Sequence, residues 1–506
     1  MTTHNNLHWS NIDKKTRAMI MIGLSMGMLV AILDGTIVGV ALPTIATELN
    51  GFGLYSWAIT AFMLCETAMI PIAGKLSDQY GRKPIFLIGM TIFLAGSILC
   101  GVAGTMEQFV IFRAIQGLGG GMLVPVATAA VADLYAPTER GKIQGLLGAL
   151  FAIAMCLGPI VGGVIVENVP WHWIFTINIP IGAIALVFTL KKFPVQEHSK
   201  AKVDYIGMGL LTGFLFALLL FFTWAGVDFP WASVESGVMI VVAAVLLLLF
   251  IEAEKRAEEP VLRLSMFRNK IFTCCVVTMI IFGMGLMGLM AFFPMFVQDA
   301  LGKGIIDSGL FLLPFVFGVM ITAMSSGVLV KKTGYRPWLI AGPIVMAIGM
   351  ILLSTISVDT NEAIILSYLF LTGLGMGCVM AVVMIAAQNG AKRDEMGMVT
   401  SSVNLFRAIG STVAVGIFTS LINGRLSSEL SDVPGLPAYD LSIMNFLGYL
   451  PQALQDVVIN AFGNSVTFAF FIGALITLVA LVATYHIRGK PEDIIEEDDE
   501  ISEVEV

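Results

Sequence analysis

Four ionisable residues sit inside long apolar stretches of the sequence: Asp34, Glu66, Arg113 and Arg407. A charge near the middle of a bilayer costs at least a few kcal/mol, so each marks a functional position by default. Asp34 follows Ala18 by 16 residues, roughly 24 Å at 1.5 Å per helical residue. Arg113 lies about 6 to 9 Å inside the opposite end of another stretch, and the two depths nearly coincide. An Asp34–Arg113 ion pair, direct or through water, is therefore expected, serving either proton coupling or structure alone. Glu66 lies deeper, where no base of the first six stretches shares its level. An embedded carboxyl with no counter-ion suits a proton or a cationic substrate; its alternatives are a water-filled or snorkelling position, or an unseen hydrogen bond. Arg407, with Asn404 and Ser401 on helical spacing before it, reads as a gate or a structural contact.

Other chemistries are not indicated. Lys75, Lys142, Lys303 and Lys490 follow glycines but none precedes Ser or Thr, so no phosphate-binding loop exists. His4, His8, His172, His198 and His486 do not cluster for metal or nucleophilic catalysis. All six cysteines fall in apolar runs rather than in a disulfide or metal pattern. The expectation is a protein that is no enzyme, carries no cofactor or metal, and binds no nucleic acid.

The elements that position these charges follow from composition. In a chain of 506 residues, 57% are apolar and 13% charged, about half the charge of a soluble protein, and the mean hydropathy is +0.89. Each crossing of a roughly 30 Å hydrocarbon core needs about 20 apolar residues. Fourteen such runs occur: 18–42, 54–73, 84–104, 109–132, 143–166 and 173–190; then 205–224 and 237–251; then 271–297, 308–330, 338–356, 363–387, 399–422 and 465–485. The net charge of -8 is concentrated in nine acids between Glu492 and Val506, which leaves the rest near +1. That tail, 488–506, reads as solvated and disordered. The first apolar run is too long for a signal-peptide core, so it is read as a retained span after a polar segment, 1–17.

Lys and Arg collect in alternate loops, among them Lys14, Lys15 and Arg17, then Lys75, Arg82 and Lys83, then Arg140 and Lys142, then Lys331, Lys332 and Arg336. The opposite loops hold only Lys303 and Arg425. Cations resist translocation, so the even span count predicts both termini in the cytoplasm of a cell with an inner, cytoplasmic membrane.

A repeat is also legible. Gly74, Asp78, Gly81 and Pro84 recur at an offset of 253 as Gly327, Lys331, Gly334 and Pro337; Gly117, Gly119 and Gly141 recur at 256 as Gly373, Gly375 and Gly397. Two six-span bundles in parallel orientation are implied, 18–190 and 271–487, the latter with an outer loop at 423–464. Between them, 191–270 carries the two inserted spans. Paired bundles with a site at their interface are a common architecture of secondary transporters.

The stretch from Gly74 to Pro84, GKLSDQYGRKP, resembles the signature loop of the major facilitator superfamily. LDGTIVGVALP from Leu33 resembles the first-span signature of its fourteen-span drug/proton antiporters, with Gly39 where asparagine is common. Arg113, Gln116, Gly117, Gly119 and Gly120 resemble the family's arginine motif. Gly145, Ala154, Gly158, Pro159, Gly162 and Gly163 resemble its antiporter motif, with Ala154 at a usual glycine position; small residues there also simply let helices pack closely. Trp171 to Phe175, with Asn178, Pro180 and Gly182, is typical of the same group, with His172 where arginine is common.

The resemblance implies an all-α fold of two six-helix bundles plus two inserted helices. It also implies a conformational latch at Gly74, Asp78, Gly81, Arg82 and Arg140, proton coupling through Asp34, Glu66 and Arg113, and a possible gate at Arg407 and Asn404. The function expected is proton-coupled export of amphiphilic small molecules such as drugs, by a monomer in the lipid bilayer. Methionine- and phenylalanine-rich runs such as 284–295 are either ordinary packing or a deformable wall for varied ligands. An exporter of an endogenous metabolite or lipid, or a transport-inactive receptor or scaffold, are the alternatives.

Overall fold

The computed structural model describes residues 12–194, 203–226, 229–392, 395–434 and 450–485, with positions 436, 441, 443, 444, 447 and 487. The acidic tail and the start of the polar amino-terminal segment lie outside these residues. Fourteen helices among them are long and apolar enough to cross a membrane. They are α1 (Lys14–Glu48), α2 (Tyr55–Tyr80), α3 (Arg82–Gly101), α4 (Met106–Leu134), α5 (Pro137–Asn168), α6 (Trp173–Lys192), α7 (Tyr205–Trp224), α8 (Val234–Arg256), α9 (Lys270–Ala300), α10 (Ile305–Thr333), α11 (Arg336–Leu353), α12 (Glu362–Asn389), α13 (Met396–Leu430) and α14 (Gln452–Thr484).

Polar residues at the helix starts set several of these limits. Asp13, Thr105, Asp204 and Asn361 each accept a hydrogen bond from a backbone N–H of the turn they open, which satisfies donors that a helix start leaves free. The helices outrun the apolar stretches, most clearly at the far end of the chain. There α13 continues to Leu430 and α14 begins at Gln452, so the expected loop 423–464 is partly helical. Hydropathy marks only what hydrocarbon covers, whereas a helix continues wherever its backbone bonds are met.

The repeat is carried into the packing. In the first bundle α2 and α3 pack on α4, and α1 on α5 and α6; in the second α10 and α11 pack on α12, and α9 on α13 and α14. Two contacts join the bundles in the same related way, α5 with α10 and α2 with α13. The inserted α7 lies against both α2 and α13, at the second seam, and α8 packs on α7. Most of α8 is exposed, presenting Val238, Val241, Val245 and Leu248 outward, the surface a lipid-facing helix needs.

Close approach at both seams depends on the repeated glycines. Gly141 of α5 meets the backbone of Gly327 of α10, and Gly74 of α2 meets Gly397 and Ser401 of α13. A Cβ at any of these four positions would collide with the facing chain. The repeated loop glycines, Gly81 and Gly334, have φ of 90° and 74°, which only glycine adopts without strain.

Candidate functional site

Asp34 is 0% exposed and holds the centre of a polar network inside the first bundle. Arg113 Nη1 of α4 lies 2.5 Å from Asp34 Oδ2. Gln116 Nε2 donates to Oδ1 at 2.8 Å, and Asn178 Nδ2 of α6 donates to the same oxygen at 2.7 Å. Arg113 also donates to Gln116 Oε1 at 2.8 Å, and its guanidinium lies 4.0 Å from the centroid of the Phe62 ring. Asn178 is steadied by Ser97, at 3.0 Å. Three donors thus converge on one acceptor-only group, the arrangement a carboxylate needs when removed from water. A proton placed on Asp34 would face one of these donors and displace it.

Glu66 of α2 lies one helical turn beyond Phe62. Among the described residues it makes no ion pair within 4 Å, and the charges that act on it are Arg407, Arg113 and Asp34. Arg407 therefore acts across the seam from the other bundle, eleven residues into α13, about 16 Å from that helix's start. Its guanidinium lies 5.0 Å from the centroid of the Phe151 ring of α5.

Arg407 and Asn404 share the wall of a cavity of about 30 Å³ between the bundles with Met28, Thr128, Gln144, Met279, Met380 and Met384. A smaller cavity of about 10 Å³ follows, walled by Phe151, Met155, Leu286, Met290, Met376 and Met380 among others. Phe151 and Met380 line both. Sites for drug-sized ligands hold about 300–1,000 Å³, so these two cavities gain room for one only when the bundles part, unlike the apolar recess of about 350 Å³ between α1 and α5 of the first bundle. Methionine side chains can re-pack as that happens.

The face carrying the basic loops is closed by a second set of contacts. Asp78, at the end of α2, accepts hydrogen bonds from the Gly397 and Met398 N–H groups, each at 2.8 Å. It thereby occupies the start of α13, where exposed N–H donors and the helix dipole favour an anion. Arg82 Nη1 lies 2.7 Å from Asp78 and Arg82 Nε 2.8 Å from Asp133 of α4. Arg140 of α5 donates to Asn389 Oδ1 of α12 at 2.8 Å and to the Ala132 carbonyl at 3.0 Å. Gln144 and Gln388 meet at 3.1 Å, and both donate to the Thr128 carbonyl.

The small residues of α5 divide between two neighbours. Gly145 faces the Ala323 backbone of α10, and Gly163 faces Ile306. Gly158 and Gly162 face Thr36 and Ile37 of α1, just past Asp34. Pro159 lies against Gly309 of α10, and Ala154 is fully buried.

The spacing reading did not find Gln116 and Asn178 as ligands of Asp34, nor Asp133 as the second partner of Arg82. A signal for the last existed in the repeat. Continuing the offset of 256 pairs Asp133 with Asn389, and continuing 253 pairs Arg82 with Tyr335. In the structure Asn389 donates to the Tyr335 hydroxyl at 3.0 Å, the neutral counterpart of Arg82–Asp133.

Residues 24–204 and 205–415 match the family model described as Major Facilitator Superfamily. The sequence is 36% identical over 437 residues to the Multidrug transporter protein MdtP of Bacillus subtilis, covering 86% of this chain and 81% of that protein. It is 33% identical over 486 residues to Multidrug resistance protein 3 of the same organism, covering 93% and 95%. Among solved structures, the proton:xylose symporter XylE superposes with a TM-score of 0.61 at 15% identity, covering 95% of this chain and 97% of that one. The human organic anion transporter MFSD10 gives 0.62 at 14%, covering 91% and 99%. Similarity at that level is one of fold.

Proposed function

The chain belongs to the Major Facilitator Superfamily, and on that footing we propose that it is a proton-coupled secondary exporter of amphiphilic small molecules, drugs among them. The observation that carries this reading is the methionine-rich cavity between the bundles with Arg407 on its wall, a cation that also acts on the embedded Glu66. Such a wall adapts to varied apolar shapes, while that acid supplies what a proton needs. The names of the two Bacillus relatives support the choice of drugs as substrates.

In this reading the moving bodies are 18–190 and 271–487, with 191–270 between them. The basic face is cytoplasmic, as are both termini, which the cation asymmetry supports. Substrate enters when that face is open and Asp34 and Glu66 are ionised. Rocking exposes the cavity outward, and protonation of the acids there breaks the Arg113, Gln116 and Asn178 contacts and releases the substrate. Gly145 and Gly163 maintain the seam with α10 during the motion.

The test is purified protein in proteoliposomes with a trapped pH indicator, challenged with a panel of lipophilic cations and neutral drugs. Compound-driven proton movement that requires the protein is the expected result. Gradient-independent behaviour across the whole panel would overturn proton-coupled export.

A further inference from the structure

The segment that joins α8 to α9 lies across the seam between α2 and α13 on the basic face. Lys75 of α2 is 4% exposed, and its ammonium lies 2.6 Å from Glu259 Oε2 of this segment. That hydrogen bond holds the Glu259 carboxyl below its ordinary range. Four residues on, Arg263 reaches the other bundle: Nη1 lies 2.6 Å from Glu395 Oε1, and its backbone N–H points to Met398 Sδ at 3.2 Å. Glu395 and Met398 flank the helix start that Asp78 occupies.

Between these two bridges, Val261 and Leu262 are 1% and 6% exposed. They pack in one cluster with Ala68 and Ile70 of α2, Leu405 of α13 and Met208 of α7. Their backbone N–H groups both donate, at 3.2 Å, to the carboxylate of Glu254 at the end of α8, and that side chain is itself buried. The segment is therefore fixed to α2, to α13 and to the inserted pair at once. It has no slack while Val261 and Leu262 remain buried. Any rocking that draws α2 from α13 breaks one ion pair or pulls the two apolar residues out of their cluster.

We propose that residues 259–263 form a clasp on the basic face, that Lys75 and Arg263 are its positioning residues, and that the inserted helices α7 and α8 serve to anchor it. The inserted pair then contributes to the gate rather than to the cavity. The clasp holds the closed state alongside Asp78, and it weights the equilibrium between closed and open forms.

The test uses the full chain in lipid nanodiscs, with its six cysteines replaced and nitroxide labels at the exposed Lys142 and Lys332, one on each bundle at this face. Glu259→Gln leaves Lys75 buried beside a neutral partner, and Lys75→Met removes the charge without leaving an orphan. Each is expected to raise the population of the long-distance, open form by about tenfold, the low end of what loss of one hydrogen bond to a charged group produces. Arg263→Met is expected to do the same from the other side. The swap of Lys75→Glu with Glu259→Lys should return the closed population. Unchanged distance distributions in Lys75→Met and Arg263→Met would overturn the proposal, as would a swap no better than its single parents. The readout needs no substrate, so failure here leaves the export reading standing.

Discussion

Replacing Asp78 with asparagine probes the latch where its geometry is most specific. Both carboxylate oxygens are in use, one on the Gly397 N–H and one on the Met398 N–H, each at 2.8 Å. Asparagine keeps one acceptor and turns an NH₂ donor toward the other backbone N–H. One hydrogen bond to a charged group is lost, worth about 1.5–3 kcal/mol, and the anion's interaction with the helix start adds about 0.3–1 kcal/mol. Arg82 keeps Asp133 at 2.8 Å, so its charge is not left alone and adds little. The lost contacts run between bundles and exist only while the basic face is closed. A total of about 2–4 kcal/mol shifts the open-to-closed ratio by roughly 30- to 700-fold. Spin-label distances across that face should lengthen, and export should show a lower kcat with KM little changed. The repeat supplies its own control: Lys331 occupies the equivalent position and is exposed, so Lys331→Gln should change the ratio by about twofold or less. An unshifted ratio in Asp78→Asn, or an equal shift in Lys331→Gln, would refute the latch assignment.

Three further outcomes are expected. Asp34→Asn leaves Arg113 buried without its counter-charge, so thermal stability should fall by about 3–5 kcal/mol and compound-driven proton movement should be lost; wild-type values of both in proteoliposomes would remove Asp34 from coupling. Glu66→Gln should fold normally, because Glu66 forms no ion pair among the described residues, yet abolish the pH dependence with which a permanently charged cation binds. Wild-type affinity for that cation should fall with pH if Glu66 takes up a proton, whereas a neutral analogue of the same shape should be unaffected; equal binding of both at every pH would exclude Glu66 as the selectivity element. Gly141→Val places side-chain atoms against the Gly327 backbone, so the basic face should stay open and turnover should drop at least tenfold; normal turnover would show that the seam yields.

The span count, the alternation of basic loops, the repeat and the glycine-bounded loop at 74–84 were all legible in the sequence, because each is a local sum or a fixed offset. Apolar runs of about 20 residues, cations in alternate loops and glycines at offsets of 253 and 256 need no knowledge of what lies opposite. The depth argument also brought Asp34 and Arg113 to one level, since rise per residue converts sequence directly into height. Height alone does not say which way a helix is turned. That Gln116 and Asn178 complete the Asp34 shell depends on the rotation of α4 and α6 about their axes. Arg407 lines the cavity and acts on Glu66 because α2 and α13 cross at Gly74 and Gly397. Lys75 and Glu259 meet across 184 positions, and Arg263 and Glu395 across 132, because an inserted helix pair lies against the seam. Such pairs are decided by the packing of helices distant in the chain, a sum of many weak, non-directional contacts that no short window of sequence contains.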